Sequence, residues 1–294
     1  MNDTNKLIDK EQLKGSAYGW PMGLWFTLFF TIPLAIIILY SFLKRGLYGG
    51  VVWQFSLAAY QGMCKASFAK VLFRTLWITA ASTFLCITLA LPAAYAMARS
   101  KHQTLLLFLV IIPFWTNSLI RIYAWISILA TDGFLNNVLL RLHLITEPLH
   151  MIYNNGSVIL VLVYMYIPFA ILPLFTTIDR FDFSLLDAAR DLGCSKPQSM
   201  YKVLLPNIKS GITTALIFTF IPIFGAYTVP LLVGGKDSTM IGNIIVDQVS
   251  KTRNWPLASA FSMVLTLISL IGVFWMLGSG KREKAESKHK EEKK

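Results

Sequence analysis

One charged segment holds the residues whose types and spacing could do chemistry. It reads LLDAARDLGCSKPQSMYKVLLPNI, from Leu185 to Ile208, and lies between two long apolar runs. Ser184 and Asp187 have the spacing of a helix-capping pair, and the helix dipole favours an acidic residue in the first turn. Gly193 can adopt the left-handed conformation that ends a helix. We therefore predict a short helix that begins at Ser184 and ends at Gly193.

A second short helix is predicted in the same segment. Ser195 and Gln198 repeat the capping spacing, and Pro197 fits the first turn of a helix. Pro206 is expected to stop this helix. The segment is then a hairpin of two short helices joined at a glycine. It could be a solvated amphipathic loop or a surface that another protein recognises.

Catalytic, metal and nucleic-acid chemistry find little support in the sequence. The histidines show no ligand spacing, so no metal site is predicted; they are His102, His143, His150 and His289. No apolar run holds a Ser–His pair or a cluster of His, Asp and Glu. A DNA-reading helix-turn-helix could use Lys196, Lys202 and Lys209, but apolar runs begin within a few residues of both ends of the hairpin. The hairpin could therefore hardly reach a major groove, and we expect no nucleic-acid partner.

The sequence GSGK at Gly278–Lys281 resembles the end of a phosphate-binding loop. The full motif would need glycine where Trp275 stands and Ser or Thr where Arg282 stands, on a turn from a strand to a helix. We interpret this stretch as a helix end followed by a basic tail. ATP hydrolysis is not expected in this chain.

The apolar runs around the hairpin are long enough to cross a bilayer. The 294 residues are 55% hydrophobic and 14% charged, with a mean hydropathy of +0.58. A bilayer core about 30 Å thick needs about 20 apolar residues in each helix. Six windows contain no Asp, Glu, Lys or Arg: Gly15–Leu43, Thr75–Ala98, Gln103–Ile120, Met151–Ile178, Ser210–Gly235 and Asn254–Gly280. The predicted fold class is all-α integral membrane, with six transmembrane helices.

The first and third windows need separate arguments. The first follows Lys6, Lys10 and Lys14 as in a signal peptide, but it exceeds the roughly 7–15 apolar residues of one, so we interpret it as an anchor. The third has 18 residues, and Ile122–Thr131 can extend it past Arg121. An arginine at the centre of a span costs about 2.5–3.5 kcal/mol. We therefore place Arg121 at a membrane interface.

Basic residues predict the orientation of the chain. With the N-terminus inside, the inner segments hold 17 of the 27 Lys and Arg residues and the outer segments hold 10. This bias favours both termini in the cytoplasm. The expected organisation is a tail at 1–18, a transmembrane domain at 19–280 with the charged loop at 179–209, and a basic tail at 281–294. Cys64 then lies outside, Cys86 in a helix and Cys194 inside, so no disulfide is expected.

The hairpin resembles the EAA signature of ABC-importer permeases. The matching positions are Asp187-Ala188-Ala189, Gly193, Val203 and Leu205-Pro206, with Asp in place of the usual Glu and Val in place of the usual Ile. In that family the loop is a coupling helix that sits in a groove of a separate ATP-hydrolysing subunit. The resemblance implies a type I importer permease fold. It also implies ATPase coupling through Asp187, Ala188, Ala189, Arg190, Gly193, Leu205 and Pro206.

The resemblance extends over nearly the whole chain beyond its N-terminal tail. PFWTNSLIRIYAW, DGFLNN, VGGKDSTMIGN and RNWPLASA are similar to the spermidine/putrescine permease branch. This likeness implies a non-catalytic subunit, with no cofactor, in the bacterial cytoplasmic (inner) membrane, surrounded by membrane lipid. It also implies a second homologous permease, two copies of an ATP-binding subunit and an external substrate-binding protein that delivers the polyamine.

Polyamines are flexible polycations that favour aromatic faces and carboxylates. The predicted pathway residues are Trp115, Asn117, Tyr123, Trp125, Asp132, Tyr227 and Asp247. None of the six windows contains Asp or Glu. The segment FGAYTVPLLVGG also lacks the acidic residue that this branch often carries there. Asp132, Asp237, Asp247 or carboxylates of the partner permease are expected to compensate.

Other transport functions stay open at this point. The same architecture could carry another amine, a metal complex or an oxyanion. An ion-coupled secondary transporter is a further alternative, although the sequence shows neither the internal repeats nor the intramembrane ionisable residues typical of one.

Overall fold

The structure is a computed structural model that describes residues 20–291, with side chains described up to residue 274. The predicted tail at 1–18, the start of the first window and residues 292–294 lie outside the described residues. The chain forms two compact units. One contains residues 20–65 and 247–264, and the other contains residues 66–246 and 265–291.

The first unit begins with an apolar helix and a small hairpin. Its elements are α1 (Trp20–Ser41), with a π-helical turn at Thr27–Thr31, the antiparallel strands β1 (Leu43–Arg45) and β2 (Val51–Phe55), and α2 (Ala58–Met63). Gly49 and Gly50 have φ of 95° and 76° in the turn between the strands. The all-α prediction missed this hairpin, whose valines and aromatic residues suit a strand. Arg45 Nη2 donates to the Thr252 carbonyl at 2.7 Å, which ties the hairpin to the later segment of the unit.

The remaining elements are helical. They are α3 (Ala66–Ala98), α4 (Gln103–Ile111) with a 3-10 turn at Ile112–Trp115, α5 (Ser118–Leu129), α6 (Phe134–Arg141), α7 (Asn155–Asp179), α8 (Ser184–Asp191), α9 (Lys196–Asn207), α10 (Lys209–Phe224), α11 (Thr228–Val233), a 3-10 turn at Lys236–Ser238, α12 (Ile241–Ser250) and α13 (Trp255–Glu291). Residues Met200–Leu204 of α9 are π-helical.

Five helical stretches are long and apolar enough to cross a membrane. They are Trp20–Ser41, Ala66–Ala98, Ser118–Arg141, Asn155–Asp179 and Trp255–Phe274. A sixth results if α9 and α10, which meet at an angle of 72°, are counted as one span. The prediction of six transmembrane helices is therefore met with that pair included.

The predicted third span is wrong in its bounds. The helix breaks at Thr116, because the backbone there is extended with a ψ of 148°. The window at 103–120 therefore contains parts of two helices. Pro113 has no N–H to continue the helical ladder, and the Asn117 side chain accepts from the Leu119 N–H at 2.8 Å to start α5. The stretch with the length of a span is Ser118–Arg141 instead.

Two charge-free windows differ from the helices within them. In the fifth window α10 ends at Phe224 and a separate helix starts at Thr228. The last helix does not end at Gly280 but continues to Glu291. Lys, Glu, Arg and Ala after Gly280 are strong helix formers, which favours this continuation. A helical backbone at Gly278–Lys281 also lacks the strand-to-helix turn of a phosphate-binding loop.

The core of the second unit lies where α3, α7 and α10 pack together. Small buried residues of α3 line this contact: Thr75, Thr79, Ser82, Thr83, Cys86, Ala90 and Ala94. Small side chains let membrane helices approach closely. Thr75 Oγ1 accepts from the Ile241 N–H of α12 at 3.0 Å, whereas the hydroxyls of Thr79, Ser82 and Thr83 are buried with no hydrogen-bond partner among the described residues. The charged hairpin lies between α7 and α10 in the chain. It is therefore anchored at both ends to helices that pack together.

Candidate coupling hairpin and transport pathway

The first helix of the hairpin begins at Ser184, as predicted, but its cap differs. The predicted pairing of Ser184 with Asp187 is wrong, because Ser184 is already helical and Phe183 occupies the capping position. Asp182 Oδ1 accepts from the Ser184 N–H at 3.0 Å instead. The hydroxyl and backbone N–H of Ser184 lower the pKa of Asp182 below its ordinary value. Asp182 therefore supplies the acceptor that the sequence pattern assigned to Ser184.

The joint between the two helices follows the prediction for Gly193. Its φ is +90°, a region that disfavours residues with a Cβ. The Gly193 N–H donates to the Arg190 carbonyl at 2.8 Å, and the Cys194 N–H donates to the Ala189 carbonyl at 3.0 Å. These two bonds form the helix ending that a glycine at this position permits. The predicted turn is confirmed.

The start of the second helix is confirmed as well. The Gln198 N–H donates to Ser195 Oγ at 3.4 Å, and the Ser195 N–H donates to Gln198 Oε1 at 3.0 Å. Pro197 stands in the first turn. The chain bends after Asn207, one residue beyond the proline predicted to stop the helix.

The hairpin has a buried root and an exposed outer surface. Leu186, Leu204 and Ile208 are buried in the same cluster as residues of α3, α7 and α10. Leu192 and Tyr201 are 87% and 73% exposed. Burying each large apolar side chain at the root contributes about 1.5–3 kcal/mol. The root therefore fixes the hairpin to the helices, and apolar side chains remain free at its surface.

The predicted coupling residues divide between surface and interior. Asp187, Ala188, Gly193 and Pro206 are exposed; Ala189, Arg190 and Leu205 are partly buried. Arg190 and Asp187 form an ion pair, with Arg190 Nη1 3.2 Å from Asp187 Oδ1. Leu205 packs against the buried cluster. The structure thus exposes Asp187 and Ala188, partly buries Ala189 and turns Leu205 towards the root.

Two predicted pathway residues flank the break between α4 and α5. Trp115 ends the 3-10 turn and is 80% exposed. Asn117 is used as the cap of α5, so its side-chain oxygen already has a hydrogen bond. The exposed indole of Trp115 is the group free to meet a ligand or another surface at this break.

The α5 helix carries the next pathway residues on different faces. Tyr123 is 55% exposed, whereas Trp125 packs edge-to-face on Tyr164 with ring centroids 5.4 Å apart. Residues two apart do not share a helix face. Of this pair, Tyr123 is the one that presents an aromatic ring to the exterior of the unit.

Arg121, which is predicted at a membrane interface, lies in the first turn of α5. Its Nε and Nη1 atoms are buried, and neither has a hydrogen-bond partner within the described residues. The guanidinium lies over the Phe114 ring, 4.5 Å from the centroid. Such a cation–π contact contributes about 0.5–2 kcal/mol, more when it is shielded from water. A buried positive charge thus lies beside the helix break.

Asp132 lies in the turn between α5 and α6, and Asn136 holds that turn in place. Asn136 is fully buried; its Nδ2 donates to the carbonyls of Ala130, Thr131 and Leu149 at 3.2, 3.1 and 2.9 Å, and its Oδ1 accepts from the Leu149 N–H at 2.9 Å. Asp132 itself is exposed. The DGFLNN pattern gave no indication of this role for Asn136, because the burial of its side chain in α6 depends on tertiary contacts.

Two other acidic residues named in the sequence analysis are engaged in ion pairs. Asp247 Oδ1 lies 2.7 Å from Lys251 Nζ, and Asp237 Oδ1 lies 3.5 Å from Arg74 Nη2. Asp247 belongs to the first unit and the other predicted pathway residues belong to the second. No ion pair of Asp132 is found in the part of the chain described. Of these three carboxylates, Asp132 is the one without an ion pair, while the Asp237 side chain is 94% exposed despite its contact with Arg74.

Tyr227 marks the second helix break, before α11. It is partly exposed, and its carbonyl accepts from Asn243 Nδ2 at 2.8 Å. Asn243 Oδ1 also accepts from the Met240 N–H at 3.1 Å. A buried asparagine therefore secures this break too. Among the described residues, no group of three or more His, Cys, Asp or Glu is placed to hold a metal ion.

The amino-acid sequence of this chain also matches a known protein family. Residues 86–282 match the family described as "Binding-protein-dependent transport system inner membrane component". The chain belongs to this family. The match includes the charged hairpin and both helix breaks, so the resemblance first seen in the hairpin is confirmed. This inner membrane component is a transport subunit, which confirms the expectation that it is not an enzyme.

Individual relatives agree with the family. The "Spermidine/putrescine transport system permease protein PotB" of Escherichia coli (strain K12) is 38% identical over 255 residues, covering 85% of this chain and 93% of the relative. A bacterial ABC transporter involved in the import of the acidic polysaccharide alginate contains a chain that superposes with a TM-score of 0.76 at 16% identity, covering 94% of this chain and 98% of that chain. The structure of a bacterial alginate ABC transporter in complex with an alginate pentasaccharide-bound periplasmic protein gives 0.74 at 16% identity, covering 94% and 96%. The type I importer permease fold is thereby confirmed.

Proposed function

We propose that this inner membrane component forms part of the pathway by which an ATP-driven importer takes up spermidine or putrescine. It works with a second homologous permease, two copies of an ATP-binding subunit and an external binding protein that delivers the cargo. The transmembrane domain is 19–280, with both termini in the cytoplasm. The tails at 1–18 and 281–294 flank it, and the loop at 179–209 faces the ATPase.

The observation that carries the coupling role is the division of the hairpin into a buried root and an exposed face. A partner that moves the exposed face also moves Leu186, Leu204 and Ile208, which pack in the cluster formed by the helices. Leu192 and the Asp187–Arg190 pair offer apolar and polar contacts for a groove in that partner. A flexible loop without this packing could not transmit such a displacement to the helices.

The polyamine assignment is supported by the relative that bears this cargo in its name and covers most of the chain. The structure adds chemistry suited to a polycation. Trp115 and Tyr123 expose aromatic faces, and Asp132 offers a carboxylate that is not held in an ion pair in the described part of the chain. Cation–π contacts and carboxylates are the groups that bind alkylammonium ions.

The transport cycle follows from a two-state equilibrium. ATP-driven closure of the motor draws the hairpins together and opens the pathway outward, and release of the nucleotide products reverses the change. Inverting a 1:99 equilibrium requires about 5.5 kcal/mol of differential binding. The rigidly rooted hairpin is the element able to carry that bias to the helices.

The test is ATPase activity of the complete complex in vesicles, with the binding protein added. Spermidine, putrescine and a panel of anions are titrated in turn. Stimulation by the polyamines and not by the anions is expected. Stimulation only by another cargo would retain the importer and overturn the polyamine assignment; no dependence on the binding protein would overturn both.

Arg121 favours a second candidate, an oxyanion cargo in the same architecture. Its two buried nitrogens without partners could bind an anionic group if the break between α4 and α5 opens towards the pathway. Arg121→Gln removes this charge. Under the polyamine proposal the variant retains at least half of the cargo-stimulated ATPase activity, whereas loss of all stimulation by an anion would support the oxyanion candidate.

A further inference from the structure

Arg99 follows directly on the last residue of α3 and contacts the entrance to the hairpin. Its guanidinium lies over the Phe183 ring, 5.4 Å from the centroid. Arg99 Nη1 also donates to the Tyr95 hydroxyl at 3.1 Å. Phe183 is the capping residue of α8. One side chain therefore joins the end of a membrane helix to the residue that caps the first helix of the hairpin.

Aromatic rings surround this contact. Tyr95 and Phe183 meet edge-to-face with centroids 6.0 Å apart, and Phe183 meets Phe181 in the same way at 5.5 Å. The rings of Phe181 and Phe183 also pack against the buried cluster at the root. We call Tyr95, Arg99, Phe181 and Phe183 the aromatic clasp. It fixes the orientation of the Phe183 ring from two sides.

Electrostatics link the clasp to the signature itself. The hydrogen bond and charge interaction with Tyr95 raise the pKa of Arg99, and the Asp187 carboxylate adds a smaller contribution in the same direction. Asp187 is the first residue of the hairpin motif and also pairs with Arg190. Arg99 thus lies close enough to the acidic residue of the motif for a weak charge interaction, while its contacts are with Tyr95 and Phe183.

We propose that Arg99 is a positioning residue that couples the end of α3 to the hairpin, so that displacement of the hairpin by the ATPase also moves α3. This inference rests on the proposed coupling function. Arg99 is exposed, and exposed contacts of this kind contribute little to stability. Their effect lies in geometry, because the planar guanidinium stacks on one ring while it bonds to the hydroxyl of another.

The experiment compares Arg99→Ala, Arg99→Lys and Lys101→Ala in the complete complex in vesicles. Lys101 lies two residues further on in the same loop and is exposed, so its removal controls for loss of a basic charge. Cargo uptake and ATP hydrolysis are measured together. For Arg99→Ala we expect an at least 5-fold loss of cargo imported per ATP hydrolysed, the lower end of typical coupling effects, while hydrolysis itself continues. Arg99→Lys keeps a cation over the ring and should recover part of the loss.

Phe183→Leu provides a second variant that keeps apolar volume but removes the ring. It should reduce the uptake-to-hydrolysis ratio like Arg99→Ala, and the double variant should be no worse than the lower single one. A ratio for Arg99→Ala equal to that of Lys101→Ala would overturn the clasp. Unchanged uptake in Asp187 and Gly193 variants would instead overturn the coupling function of the hairpin, so the two failures are distinguishable.

Discussion

At the scale of the residue, Asp132 decides whether this chain supplies a carboxylate to a polycation. It is exposed in the turn between α5 and α6, whereas Asp237 and Asp247 are held in ion pairs. Asp132→Asn should raise the cargo concentration for half-maximal uptake roughly tenfold, the equivalent of about 1.4 kcal/mol. Asp237→Asn is the matched control and should change it less than twofold. Equal effects of the two variants in uptake assays would contradict the role of Asp132.

Asn136 illustrates a residue whose importance is structural. Removal of its amide takes a hydrogen bond from the Leu149 N–H and from the Thr131 carbonyl, whereas the Ala130 and Leu149 carbonyls keep the N–H donors of Gly133 and Met151. Each buried group left unpaired costs about 1–3 kcal/mol. Asn136→Ala should therefore lower the melting temperature of the detergent-solubilised protein clearly. Asn137→Ala, which loses one exposed bond to the Asp132 carbonyl, should leave that temperature nearly unchanged.

At the scale of the element, the hairpin depends on the conformation of Gly193. No atom lies within 4 Å of an added Cβ, so space is not the constraint. The constraint is the φ of +90°. A side chain in left-handed backbone costs about 1–2 kcal/mol, and asparagine tolerates this region better than alanine. Gly193→Ala should reduce uptake several-fold with membrane insertion intact, and Gly193→Asn should reduce it less; the reverse order would refute this account of the turn.

The root and the surface of the same hairpin should respond differently to truncation. Leu204→Ala removes a fully buried side chain and should destabilise the protein by about 2–5 kcal/mol. Leu192→Ala alters an exposed residue and should change stability by less than about 0.5 kcal/mol. Leu192→Ala should nevertheless weaken association with the ATPase in co-purification. Normal association of this variant would show that the partner contacts another part of the hairpin.

At the scale of the whole molecule, the three cysteines report the orientation of the chain. Cys64 is exposed, Cys86 is buried and Cys194 is partly exposed. In variants with a single cysteine, a membrane-impermeant maleimide should label Cys64 only from the periplasmic side. Cys194 should react only in inverted vesicles without the ATPase, and Cys86 only after denaturation. Labelling of Cys64 and Cys194 from the same side would refute the predicted topology.

Turns and helix caps that depend on only a few neighbouring residues were in part predicted correctly from the sequence. The turn at Gly193 and the capping pair of Ser195 and Gln198 are local, because each is completed by bonds within the hairpin. The cap of the preceding helix was misassigned because two acceptors, Asp182 and Ser184, lie close to its start. Local pattern alone does not choose between them.

The sequence by itself determined the membrane class, the hairpin and its likeness to importer permeases, since hydropathy, turn residues and motif spacing depend on the order of residues. Only the tertiary structure decided that Asp237 meets Arg74 and that Asp132 has no ion pair within the described residues. It also placed Arg99 against Phe183, 84 positions later in the chain. Contacts of this kind depend on how distant helices pack, and packing leaves no periodic trace in the sequence.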